Sequence, residues 1–398
     1  MKALIIGGGI GGLAAAIGLN KVRIDAQIYE RAAALGEVGA GISLWANAMH
    51  ALDELGLGQT IRAYALPEMF GEVRTWHGTI LSAATSEDLN NRYGVSVSMI
   101  HRADLLALLI SALDPDRIHL DHECIGVEQN TAGVTARFSR GGTERADLLI
   151  GADGLDSVVR SQIFGAAPPR YAGYTAWRAV ADFTRPGMVA SESWGRGRRF
   201  GAIPMIDHHV YWYATENAPE GQHDSPQRTK QKLLESFRGW HDPIEELIEA
   251  TDESAILRND IFDRDPLARW SEKRVTLLGD AAHPMTPNLG QGACQAMEDA
   301  VVLAACLGLS SSVDSALRAY EQRRIPRTSR MVMASRLIGQ LAQWENPVLC
   351  FVRNALLRAT PKATTSLQLR SLAAYEALTE AERAFLAGEK QHANTAGP

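Results

Sequence analysis

The chain has 398 residues, enough for two or three folding units at roughly 100–200 residues each. Its 40 Lys and Arg against 46 Asp and Glu leave a net charge of −6, without the basic balance of a dedicated nucleic-acid binder. A hydrophobic share of 46% excludes an intrinsically disordered or collagen-like chain. The four cysteines, Cys124, Cys294, Cys306 and Cys350, form no C-x-x-C pair, so neither a zinc ribbon nor a redox dithiol is expected. No stretch approaches the ~20 apolar residues that cross a bilayer, and the apolar start at Met1 is too soon broken by glycine to be a signal peptide. The expected location is the cytoplasm, with reduced thiols.

In chain order, Lys2–Ile6 is a short β-branched run ending at glycine, which predicts a buried strand. Leu13–Leu19 is an alanine-rich helix and Ala26–Glu30 a second strand, together a β-α-β unit that implies a parallel sheet. Ala146–Gly151 and Arg274–Gly279 are further buried strands that end in glycine. Between them, Tyr171–Phe183 and Trp194–Thr215 are rich in aromatic and β-branched residues and predict a larger, mostly antiparallel sheet. Gln227–Phe237 and Pro243–Ala250 read as surface helices, and Ala393–Pro398 as a frayed tail.

The expected fold class is therefore α/β: a Rossmann-like domain interleaved with a substrate domain on a mostly antiparallel sheet, plus C-terminal helices. The expected division is 1–70, 97–165 and 266–340 for the first domain, 71–96 and 166–265 for the second, and 341–398 for a C-terminal helical segment and tail.

Many of the 35 glycines fall in loops that follow strands. Gly7-Gly8-Gly9-Ile10-Gly11-Gly12 satisfies G-x-G-x-x-G: Gly7 permits the tight turn, Gly9 lets the backbone approach a pyrophosphate, and Gly12 lets helix and strand pack closely. Ile10 and Gly11 complete that turn at a helix N-terminus, where free N–H groups favour an anion. Glu30, beside Arg31 about 20 residues on, can accept from ribose hydroxyls and would repel a 2′-phosphate. Two further motifs follow strands: Gly151-Ala152-Asp153-Gly154, and Gly279-Asp280-Ala281-Ala282-His283-Pro284 with Pro287–Gly292 behind it. Asp280 sets a carboxylate acceptor at the end of its strand. Gly290, Gln291 and Gly292 make a small loop at a helix start that can press N–H groups against a polar ring edge, and Pro287 stiffens it.

These three motifs in this order resemble the FAD-dependent aromatic hydroxylases, the single-component flavoprotein monooxygenases, over most of the chain to about Arg330. The resemblance implies FAD as cofactor, NADH or NADPH as a transient co-substrate, and O2. It implies hydroxylation of a small aromatic or heteroaromatic substrate through a flavin C4a-hydroperoxide, with no metal and no nucleic-acid partner. It also implies that Asp280 and Pro287 contact FAD, that Asp153 braces its loop, that Arg102 reaches the cofactor, and that Gly36–Ile42, including Gly41, lies beside the flavin. His101 and His283 read as structural.

On the substrate side, Arg170–Tyr174 and the spacing of Arg199 and Tyr211 around Pro204 are similar to urate hydroxylases, where the arginine and tyrosine serve the substrate. His209 and Tyr213, at the parity of Tyr211, instead suit the phenol-deprotonating roles of hydroxybenzoate and salicylate hydroxylases; simple packing of the sheet is the competing reading. The apolar segment Asn346–Ala359 suits packing on the body, a homodimer contact, or a membrane surface. The alternatives in function are a flavin epoxidase or tailoring oxygenase on a lipophilic natural product, and a non-catalytic nucleotide-binding regulatory module.

Overall fold

The computed structural model describes residues 1–36, 40–66, 71–84, 97–224, 228–360 and 376–388. Residues 37–39 of the glycine-rich segment 36–42, and the tail from Ala393, lie outside the described residues.

The strand Lys2–Ile6 lies inside a six-stranded sheet. It pairs in parallel with Leu148–Gly151 on one side and Asp25–Tyr29 on the other. Val275–Leu277 then pairs in parallel with Leu148–Gly151, and Ile118–His119 and Ser271–Glu272 form the edges. Its central strands Lys2–Ile6, Leu148–Gly151 and Val275–Leu277 are buried along nearly their whole length, as expected of parallel strands covered on both faces. The helix Ile10–Lys21 is buried almost all round, packed between the sheet and the helix Gly292–Leu309. A Cβ on Gly18 would stand 3.1 Å from the Cβ of Ala304, so small side chains let the two helices approach.

Gly292–Leu309 is long and apolar enough to span a membrane by length and composition, yet 78% of it is buried inside the protein and it carries Glu298 and Asp299. It is a core helix.

The second layer is a seven-stranded sheet in the order Leu257–Asp263, Arg170–Asp182, His209–Asn217, Arg198–Pro204, Ala190–Trp194, Gly71–Thr75, Ile80–Ala84. All its pairs are antiparallel except Ala190–Trp194 with Gly71–Thr75. Alternation separates its two faces. Trp177, Phe200 and Trp212 point to one side, where they pack with Leu233, Phe237, Leu247 and Ile248 from the helices Thr229–Ser236 and Ile244–Ala250. The other side looks toward the glycine loops of the first sheet.

Two elements depart from the sequence expectation. Ala146–Gly151 is not one strand: Thr143–Ala146 belongs to a three-stranded antiparallel sheet with Cys124–Asn130 and Gly133–Phe138, and Leu148–Gly151 to the parallel sheet. Asp147 makes the break, its carboxylate accepting the Lys2 N–H at 2.8 Å. The 30-residue helix Val313–Ala342 also has no counterpart in the pattern reading; it begins with Ser312 capping the Ser315 N–H and carries Pro326 inside.

That long helix is tied to the large sheet by Asp263, which is fully buried. Its carboxylate receives Arg170 at 2.7 and 2.6 Å and Arg336 at 2.9 and 3.2 Å. Asp263→Ala strands two guanidinium groups, one of them partly exposed. The expected loss is about 2–3 kcal/mol, read as a lowered urea midpoint.

Candidate active site

Three glycine loops leave the carboxyl ends of three adjacent parallel strands, the place where open α/β sheets bind ligands. Gly7 has φ +113°, and a Cβ there would lie 2.3 Å from the Ala152 carbonyl oxygen. A Cβ on Gly12 would lie 2.0 Å from the Gly7 carbonyl oxygen. The G-x-G-x-x-G turn is therefore locked against the loop of Asp153 and against its own helix. Gly11 packs on Leu278, and Ile10 is buried. Gly9 is different: a Cβ there would meet nothing within 4 Å, so its backbone faces open space at the helix N-terminus.

Glu30 follows the strand Asp25–Tyr29 and accepts the Gly8 N–H at 2.6 Å and the Ala32 N–H at 2.9 Å. It holds the glycine turn in shape and keeps lone pairs for a further donor. Arg31 beside it is exposed. Asp153 accepts from Ser157 Oγ at 2.5 Å and from the Val158 and Val159 N–H groups at 2.8 and 3.1 Å. It is thus turned into the start of the helix Val158–Phe164. Arg102 opens the helix Arg102–Ser111, its N–H donates to the Ala40 carbonyl at 2.9 Å, and its charge acts on both Asp280 and Tyr211. His101 caps this helix, accepting the Ala103 N–H at 3.2 Å.

Asp280 lies at the mouth of the third loop. It is exposed, and among the described residues its carboxylate accepts no hydrogen bond. It nonetheless sits deep enough in the cleft that desolvation pushes the carboxyl up, against the pull of His283 and Arg102. Gly292 stands across from it; a Cβ there would come 3.9 Å from Asp280 Oδ1. An open N-terminal turn at Gly9 and an unengaged acceptor at Asp280 fit a dinucleotide with anionic phosphates and hydroxyl donors.

The floor beneath is a buried ionic network. His283 Nε2 is 2.6 Å from Asp299 Oδ2, which also accepts the Gly279 N–H at 3.0 Å. Arg324 Nε donates to Asp299 Oδ1 at 2.6 Å, and Arg324 also pairs with Glu298. Arg327 grips Glu298 at 2.7 and 2.8 Å. Asn47 donates to Glu298 at 2.6 Å and to Gln291 Oε1 at 3.0 Å. Burial would raise both carboxyls, but His283 and Arg324 at Asp299, and Arg324 and Arg327 at Glu298, outweigh it and hold them below the usual range. Gln291 therefore serves the network through its side chain, and only its backbone belongs to the loop.

Pro287 is exposed at the start of a short 3-10 turn that ends at Gly290, φ +61°. Asn288, between them, bridges to the large sheet. It donates to Thr286 Oγ1 and the Ser335 carbonyl at 2.8 and 3.0 Å, and its Oδ1 accepts from Arg199 at 2.8 Å and Tyr174 at 3.2 Å.

The structure brings Arg199, Tyr211 and Tyr213 to one face of that sheet. Arg199 is buried and saturated: besides Asn288 it donates to Gln343 Oε1 at 2.9 Å and pairs with Glu192 at 3.0 Å. Tyr213 lies flat over Gly201, where a Cβ would be 2.2 Å from its ring. Tyr211 packs with Met99, Met205, Ile203 and Ala40, and its ring fills the space a Gly41 Cβ would take, 2.6 Å away. Gly41 thus begins the strand Gly41–Trp45 in contact with the seven-stranded sheet. Burial pushes both phenols up. His209 shares their parity but is exposed at the hairpin end beside Asp207 and His208, beyond the covered part of the face, and is not brought to the other three. A cavity of about 520 Å³ lined by Asp224, Thr229 and Arg258 opens on the opposite face of this sheet, away from the glycine loops.

Glu192 and Gln343 were not singled out from the sequence. Their importance comes from cross-strand register and from a helix end 144 residues beyond Arg199; Tyr174 and Asn288 carried a local signal only through their places within Arg170–Tyr174 and Pro287–Gly292.

A cleft at the carboxyl ends of a parallel sheet, with a glycine turn on one wall and an open carboxylate on the other, defines a dinucleotide-binding oxidoreductase of the Rossmann-like class. Residues 1–335 match the family described as FAD binding domain, and the chain belongs to that family; it is an FAD-dependent monooxygenase. The aurachin C monooxygenase/isomerase of Stigmatella aurantiaca is 44% identical over 360 residues, covering 90% of this chain and 94% of that protein. An FAD-dependent urate hydroxylase of Klebsiella pneumoniae is 33% identical over 342 residues, covering 84% and 89%. Among solved structures, Klebsiella pneumoniae HpxO complexed with FAD and uric acid superposes with a TM-score of 0.89 at 31% identity, covering 94% of this chain and 97% of that one.

The depressed carboxyls of the network set a pH dependence. Their stabilisation is full above the unfolded-state value of about 4 and is lost as pH falls through the folded values. Acidification below about pH 4 is expected to lower the denaturation midpoint steeply. Glu298→Gln is expected to remove about 3–5 kcal/mol at neutral pH and to flatten that acid dependence, both readable from denaturant titrations at several pH values.

Proposed function

We propose that the chain hydroxylates an aromatic or heteroaromatic substrate, with O2 and with NADH or NADPH as transient electron donor. The observation that carries this reading is the contact between two walls: Gly41 lies against the Tyr211 ring, and the Pro287–Gly292 loop is tied by Asn288 to Arg199 and Tyr174 on the same face. The side chains at this contact are tyrosines and methionines, a lining that suits a flat ring.

In this reading the unit of 1–70, 97–165 and 266–340 holds FAD, the unit of 71–96 and 166–265 covers the substrate, and 341–398 forms the C-terminal remainder. Gly7, Gly9, Ile10, Gly11 and Gly12 receive the pyrophosphate at the helix N-terminus. Glu30 and Arg31 face the adenosine, Arg102 adds a cation beside the cofactor, and Asp280 accepts from the ribityl hydroxyls. Pro287, Gly290, Gln291 and Gly292 line the ring edge with backbone, Gln291 being fixed from below by Asn47. Asp153 braces the second loop. FAD, when bound, supplies electron transfer and oxygen activation.

The protein's own residues orient the ring and exclude water. Tyr211 and Tyr213 remain neutral phenols at neutral pH and act as hydroxyl donors or acceptors toward the substrate. Arg199 holds the substrate sheet, the Asn288 loop and Gln343 in register.

A second reading, a tailoring oxygenase for a lipophilic natural product, is favoured by the apolar lining of Met99, Met205, Ile203 and Val180 and by the similarity to the aurachin C monooxygenase. The reaction takes place in the cytoplasm, with the four buried thiols free.

The purified chain is expected to carry or take up FAD and to oxidise NADH or NADPH faster with an aromatic ligand, forming product in proportion. A chain that gains no flavin spectrum on addition of FAD would sink the proposal. A mass-shift panel of polar and of lipophilic aromatics separates the two readings. Asp280→Ala is expected to weaken FAD binding at least about tenfold through lost hydroxyl contacts, measured by flavin fluorescence.

A further inference from the structure

We propose that Arg178 is the residue that receives the ionisable oxygen of the aromatic substrate. The inference rests on the monooxygenase reading above and names a binding residue of that same site.

The argument is one of register. Directly opposed residues on antiparallel strands share a face. Arg178 is opposite Tyr213, and Val180 is opposite Tyr211; Tyr213 is in turn opposite Gly201, and Gly201 opposite Glu192. One row across the sheet therefore reads Arg178, Tyr213, Gly201, Glu192. The absent side chain at Gly201 lets the Tyr213 ring lie toward Glu192, away from Arg178. That leaves Arg178 between Tyr213 and Leu257 in the row, with its charge acting on Tyr211.

Charge partners separate the two arginines of this face. Arg199 is balanced by Glu192 and held by Gln343 and Asn288, so its charge and its geometry are committed to the fold. Arg178 has no carboxylate on it among the described residues. Its Nη2 donates to the neutral Asn259 Oδ1 at 2.7 Å, which orients the guanidinium without neutralising it. Its Nε is buried, with no acceptor among the described residues. A buried donor without an acceptor is costly, and a planar cation anchored at one end is suited to an oxygen acceptor. Its field already reaches the Tyr211 phenol, so an oxygen held by Arg178 would stand next to the tyrosine. Phenolate-type ring oxygens and carboxylates share this chemistry.

The test uses the FAD-loaded enzyme and its variants Arg178→Met and Arg178→Lys. NADH and NADPH oxidation and product formation are followed with salicylate, 6-hydroxynicotinate, urate and 4-hydroxyquinoline, and with salicylamide as the uncharged counterpart of salicylate. For every aromatic the wild type turns over, R178M is expected to raise KM by about ten- to a hundredfold, with kcat changed far less, and R178K to recover part of the loss. A loss confined to salicylate and 6-hydroxynicotinate marks the carboxylate as the group received; a loss shared by 4-hydroxyquinoline marks the ring oxygen. KM values within twofold of wild type in R178M for every aromatic the wild type turns over overturn the proposal. Flavin content separates the two levels. If the wild type binds FAD but oxidises no aromatic of the panel, the monooxygenase reading fails and this inference with it. If R178M loses flavin, R178K supplies the same comparison of KM against kcat.

Discussion

The ionic network of Asp299, Arg324, Glu298 and Arg327 is the constraint on which the cofactor side depends. These four side chains are buried or nearly so, and a buried charge is tolerated only when its partners are in place. Asp299 reaches the Gly279 N–H and His283, so the third glycine loop cannot move without breaking the network. Glu298 reaches Asn47, which reaches Gln291, so the loop before the core helix is held as well. The arginines come from the long helix Val313–Ala342, which also anchors the large sheet through Arg336 and Asp263. One set of charges thus sets the height of both loops relative to the parallel sheet.

The face of the seven-stranded sheet that meets these loops follows a different logic, in which missing side chains matter as much as those present. Tyr213 occupies the place of a Gly201 side chain and Tyr211 that of a Gly41 side chain. The aromatic rings are placed by backbone they can lie against, and the two layers of the molecule touch through such a contact. Asn288 adds the polar tie, accepting from Tyr174 and Arg199. Arg199 is consequently a fixed strut, while Arg178, on the same face and held by Asn259, has a buried Nε without an acceptor among the described residues.

The cofactor half was legible because its chemistry is local. Gly7 and Gly12 need to be glycine for reasons that lie within a few residues or one strand away, and Asp280 follows its strand directly. The His101 cap and the bracing by Asp153 are also short-range. The substrate half was legible only in outline. Parity put His209, Tyr211 and Tyr213 together, but parity does not say where a face stops being covered, and His209 lies past that point. Glu192 and Arg178 are significant only through strand order, and Gln343 through a helix end far along the chain.

By itself the sequence determined the parallel strands and the glycine turns, because apolar runs and glycine spacing act through the backbone over short distances, and its three motifs in order carried the resemblance to a flavin-binding family. The tertiary structure alone decided which arginine is neutralised and which is available, and which polar residue bridges the layers. Charge balance inside a protein depends on which side chains the strand order and helix packing bring within hydrogen-bond range, and that is a property of the folded chain as a whole.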